Sequence, residues 1–149
     1  MSYYLPPGRW TSLLSGAAVD GGCWRTETHG YMSIPLMARP NSIIAMGRDE
    51  TRPDYDYADG ATFHVFEPTD GSECSAAVVS PEGREEVTLS VQRERGTLAL
   101  ASHGARKPWS VCLRNVPEIR GVKGGSSERR GEGTMILPAK GADTVVVEL

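Results

Sequence analysis

From Arg84 to the C-terminal Leu149, apolar residues recur at every second position, and the turn-forming residues that interrupt them return every roughly 8 to 12 residues. Val87, Leu89 and Val91 point to one side of an extended chain, and Thr88, Ser90 and Gln92 to the other. Leu98 and Leu100, just after Gly96, fit its hairpin partner. Trp109, Val111 and Leu113 alternate with Ser110, Cys112 and Arg114, and Thr144 to Leu149 ends the chain on Val145, Val147 and Leu149. Such a pattern predicts strands with one buried face, stacked as a sandwich or closed as a barrel. With 17 Gly and 10 Pro in 149 residues, no segment keeps a 3.6-residue apolar period for three uninterrupted turns. Almost no helix is therefore expected.

The first 48 residues read differently. Three short extended pieces, Tyr3 to Leu14, Cys23 to His29 and Ser33 to Met46, are broken by Pro6-Pro7, Asp20-Gly21-Gly22 and Pro40. The charged, proline-containing stretch Arg48 to Asp54 marks a boundary between residues 1–48 and 49–149. Residues 1–48 hold too few strands to close a sandwich, whereas 49–149 hold about seven or eight, enough for a pair of sheets. The fold class is therefore all-β, with one partial and one complete β-sandwich. Gly121 to Gly133, rich in Gly, Ser and charge, is expected to be an exposed, mobile hairpin end.

The formal net charge of −3 gives no electrostatic footprint for nucleic acid. No run approaches the ~18 apolar residues of a membrane span, and Met1 to Trp10 lack the basic-then-apolar plan of a signal peptide. A cytoplasmic location with no membrane partner is expected. Cys23, Cys74 and Cys112 are odd in number and far apart, so they read as reduced small hydrophobes and not as a disulfide or zinc framework.

The motifs carry little chemistry. The close acidic pairs Asp49/Glu50, Asp54/Asp56 and Glu85/Glu86 stand in turns or strand starts, where sequence neighbours cannot face one another across a glycosidic bond. Asp54 to Gly60 begins like a calcium loop but has Ala58, Asp59 and Val65 where an oxygen ligand, Gly and Glu are needed. His29, His64 and His103 have no sequence-local metal partner, and no Gly-x-Ser-x-Gly elbow is present. Gly124 to Gly131 lacks the Gly-Lys-Ser/Thr ending of a phosphate loop. No catalytic residue, metal site or cofactor site is assigned. Trp10, Trp24 and Tyr31 are the candidate sugar-stacking or interdomain aromatics, with packing between sheets or domains expected for most of the aromatic residues.

Several motifs, taken in order, resemble the C-terminal region of glycoside hydrolase family 31, most of all the bacterial α-xylosidases. They are Tyr4-Leu5-Pro6-Pro7-Gly8-Arg9-Trp10, Gly30 to Leu36, Ala38 to Gly47 and Arg52-Pro53-Asp54-Tyr55. Ala61 to Phe66 with Asp70-Gly71, and Trp109 to Val116, continue the resemblance to nearly the whole chain. It implies a partial proximal β-domain over 1–48 and a distal β-sandwich over 49–149. It also places both catalytic Asp residues in a preceding (β/α)₈ barrel that no segment here matches. The implied role is a non-catalytic buttress of that barrel, in an enzyme that hydrolyses terminal α-xylosides with retention. Two alternatives remain open, a free carbohydrate-binding module and a strand-pairing interaction module. An incomplete proximal half is expected to leave a strand edge open to a second copy, with an apolar surface around Leu5, Leu13, Ile34, Ile43 and Ile44.

Overall fold

The computed structural model describes every residue except Glu132. Six strands come from the first 46 residues: β1 (Ser2–Leu5), β2 (Arg9–Ser12), β3 (Ala18–Asp20), β4 (Cys23–Thr26), β5 (Met37–Ala38) and β6 (Ser42–Met46). Nine follow: β7 (Ala61–Phe66), β8 (Glu73–Val79), β9 (Glu85–Glu94), β10 (Thr97–His103), β11 (Trp109–Arg114), β12 (Gly121–Lys123), β13 (Gly125–Arg130), β14 (Gly133–Pro138) and β15 (Thr144–Glu148). There is no helix among the described residues.

Two five-stranded sheets form the sandwich, in the orders β12-β15-β10-β9-β8 and β13-β14-β11-β7-β6. All pairs are antiparallel except β7 with β11, whose register sets Phe63 beside Val111 and Val65 beside Leu113. Between the sheets lie Phe63, Val65, Leu89, Leu98, Leu100, Val111, Ile136, Val145 and Val147, each fully buried. Burial of each such side chain contributes about 1.5–3 kcal/mol, so the period-two pattern of β9, β10, β11 and β15 fixes which face turns inward. Leu89 meets its core neighbours only because Thr88 and Ser90 turn outward.

Three features depart from the sequence expectation. First, Gly121 to Gly133 is not a loop in its described part but two edge strands, β12 along β15 and β13 along β14. Gly124 between them has φ +85°, and a Cβ there would lie 2.6 Å from the Thr144 carbonyl oxygen, so only glycine lets the chain pass from one sheet to the other. Glu132, within the expected loop, lies outside the described residues. Second, the face of β11 that carries Cys112 and Arg114 is buried like its core face. Third, β6 precedes the expected boundary at 48/49, yet its hydrogen bonds run along β7 from Ser42–Phe66 to Met46–Thr62.

The rest of the N-terminal part forms two small sheets, β1-β4 and β3-β2-β5. Of the residues expected to form an uncovered apolar surface, Leu5 is buried, Ile43 packs against the sandwich core, Leu13 and Ile44 are half-buried, and Ile34 is exposed. Ile43 turns from β6 into the sandwich core, while Ile34 stays exposed with other apolar residues of the N-terminal part.

Candidate functional site

The three candidate aromatics occupy three different environments. Trp10, on β2, donates its indole N–H to the Pro6 carbonyl at 2.9 Å and has the Arg39 guanidinium 4.6 Å above its ring. Gly21 is required beneath it, since a Cβ there would collide with the Pro6 carbonyl oxygen and the indole nitrogen. Trp24, on β4, is 73% exposed and leans against Tyr4 of β1, ring centres 5.8 Å apart. Tyr31 stands fully exposed in the turn after β4. Packing within the chain therefore accounts for Trp109 and one face of Trp10, while Trp24 and Tyr31 are not packed between its sheets. A two-stranded ribbon has one face that nothing in this chain covers, and Tyr4 and Trp24 share it through their cross-strand register.

Close to that ribbon is a polar network that the sequence reading passed over. Glu27 accepts the Tyr3 hydroxyl at 3.0 Å through one carboxylate oxygen and meets His29 Nε2 at 2.9 Å through the other. A carboxylate only accepts, so Nε2 carries a proton, and Nδ1 is hydrogen-bonded with the Ser33 hydroxyl at 2.7 Å. The His29 and Tyr3 hydrogen bonds hold the Glu27 carboxyl below its ordinary value, while partial burial and then the Glu27 carboxylate raise the Tyr3 hydroxyl. The spacing Glu27-x-His29-x-x-x-Ser33 was the available signal, but only the β1–β4 register brings Tyr3 to it.

A second cluster joins the small sheets to the sandwich. Arg114, at the end of β11, donates from Nη1 to His64 Nδ1 at 3.2 Å and from Nη2 to the Leu13 carbonyl at 3.1 Å, with its guanidinium 5.5 Å from the Phe66 ring centre. Asn115 donates to Thr11 Oγ1 and the Gly16 carbonyl, and Arg9 pairs with Glu67 at 2.6 Å. These contacts cover the outer face of β7 and β11.

Asp56 and Glu86 converge on Lys107 Nζ, at 2.5 and 3.3 Å, beside an open cleft of about 440 Å³. Hydrogen bonding to Lys107 holds Asp56 below its ordinary value, the opposite of what a general acid needs. Among the described residues no group of three His, Cys, Asp or Glu is placed to hold a metal ion.

Residues 56–149 match the family model described as the C-terminal domain of the α-xylosidase YicI. The chain belongs to that family. The YicI C-terminal domain family segment spans β7 to β15, the sandwich without its edge strand β6. The chain is similar to α-xylosidase XylQ of Lactiplantibacillus pentosus, 30% identical over 105 residues, which cover 68% of this chain and 14% of that protein. In fold it is similar to the cycloalternan-forming enzyme of Listeria monocytogenes, with TM-score 0.76 and 17% identity over 99% of this chain and 16% of the other. The family 31 α-xylosidase of Xanthomonas citri superposes with TM-score 0.58 and 17% identity over 93% of this chain and 17% of the other. The resemblance to the C-terminal region of family 31 enzymes stands, and the chain spans about a sixth or less of these relatives' length.

Proposed function

We propose that this chain is a non-catalytic C-terminal part of an α-xylosidase-like family 31 glycoside hydrolase, and that its role is to support the catalytic barrel. The enzyme of which it is part hydrolyses terminal α-xylosides with retention and works in the cytoplasm. The observation that carries this reading is the match of 56–149 to a C-terminal domain family, by a chain that covers only 14% of XylQ. The Lys107–Asp56 pair agrees with it, since Lys107 favours the ionised form of Asp56 whereas a general acid must hold its proton. Within this reading residues 1–48 form the partial proximal unit and 49–149 the distal sandwich, with β6 pairing onto β7 across that boundary.

A fusion tests the proposal. XylQ whose matching C-terminal segment is replaced by this 149-residue chain is expected to retain hydrolysis of an aryl α-xyloside. An inactive fusion, beside active XylQ prepared in parallel, would remove the reading.

A further inference from the structure

We propose that the turn Gly30–Ser33, with Tyr31 and Met32 at its tip, is a preformed prong through which this chain docks on the catalytic domain of its parent hydrolase, an inference that rests on the function proposed above. Tyr31 is 102% exposed and Met32 92%, about as open to water as in an unfolded peptide, and Ile34 is 56% exposed. Yet the loop that carries them is tied at both ends. At its start, Glu27 holds Tyr3 and His29, and His29 holds Ser33. Ser33 N–H closes the turn on the Gly30 carbonyl, and at the far end Leu13 N–H donates to the Leu36 carbonyl at 2.8 Å. An aromatic and a methionine presented on a loop already fixed in shape lose little conformational freedom on docking, which is how strong interface anchors are built.

The occupant follows from where the apolar surface lies. Of the ten exposed large hydrophobic residues among those described, eight fall within residues 1–36, and the other two, Val79 and Leu137, lie on the sandwich. In XylQ the segment similar to this chain is 14% of the protein, so the remaining polypeptide supplies a surface several times larger than the chain itself. From Gly30 to Leu36 there is no Asp, Glu, Lys or Arg. A sugar ring stacked on Tyr31 would need polar groups open to it, whereas Ser33, His29 and Glu27 beside the turn are engaged with one another, and an apolar pocket of a protein needs none.

The test uses the fusion of this chain with XylQ. Tyr31→Ala combined with Met32→Ala is expected to speed heat inactivation of the fusion at least about tenfold, as loss of an interface anchor does. The same pair of changes should leave the unfolding midpoint of the 149-residue chain alone unchanged, since neither side chain is covered in it. Ser33→Ala, which loosens the loop without touching its tip, should give a smaller acceleration. An inactivation rate that the double variant leaves unaltered overturns the proposal while the functional reading stands. So does a result in which the changes abolish self-association of the isolated chain by light scattering and leave the fusion untouched, for then a second copy is the partner. An unaltered fusion that is inactive beside active XylQ removes the functional reading itself, and the prong with it.

Discussion

Arg114 Nη1 lies 3.2 Å from His64 Nδ1, on neighbouring parallel strands of one sheet. Arginine can only donate, so His64 accepts at Nδ1 and carries its proton on Nε2. The other arm of the guanidinium reaches the Leu13 carbonyl, 101 positions away in sequence. One side chain thus joins the sandwich to the segment that runs over it, and the buried outer face of β11 depends on that junction.

Replacing Arg114 by Met keeps the apolar stem but removes the hydrogen bonds to His64 and the Leu13 carbonyl. A loss of about 3 kcal/mol or more is expected, since bonds to a charged donor contribute about 1.5–3 kcal/mol each. Urea unfolding measures it as a lowered midpoint. Arg114→Lys should recover only part, because a single ammonium cannot span His64 and the Leu13 carbonyl as a planar fork does.

Gly124→Ala is expected to cost about 3 kcal/mol or more, combining left-handed backbone strain of about 1–3 kcal/mol with a contact that must relax. The new methyl would sit 2.6 Å from the Thr144 carbonyl oxygen. Gly131, where a Cβ meets nothing within 4 Å, is the control, and Gly131→Ala should shift the thermal midpoint far less.

These sites also show what could be read in advance. The alternation of Val87, Leu89 and Val91, and of Trp109, Val111 and Leu113, placed the core because burial on one face imposes a period of two. Gly125 to Arg130 has no apolar residue at all, and it is a strand because β14 offers an edge that needs no side-chain burial from its partner. Cys112 and Arg114 read as an outward face, since nothing local reports that Leu13 and Thr11 will lie over it. The Glu27–His29–Ser33 tie was half legible, as spacing without geometry, and Tyr3 joins it only through strand register. Aromatic residue type alone could not separate Trp109, inside, from Trp24, outside.

Acid should weaken the fold through surface carboxylates. Glu27, Asp56 and Glu148 sit below their ordinary values of 4.5, 3.8 and 4.5, held chiefly by His29, Lys107 and Lys123 respectively. In that range the unfolded chain binds more protons than the folded one, so stability rises with pH there. The contribution is complete above the ordinary values and is lost as pH falls through the lowered ones. Lys107 and Lys123 are raised above 10.5, so their share is present below that value and lost as pH climbs through the folded ones. A series of thermal midpoints from pH 7 to pH 3 should therefore fall below about pH 4.5, and Lys107→Met should flatten the Asp56 share of that slope.

The central claim is that this chain is a support and not a catalyst, and the hydrolysis of an aryl α-xyloside by the purified 149-residue chain alone measures it most directly. The expected rate is that of buffer, because Asp56 and Glu86 are both paired with Lys107. Turnover well above buffer that Asp56→Asn or Glu86→Gln abolishes would contradict it.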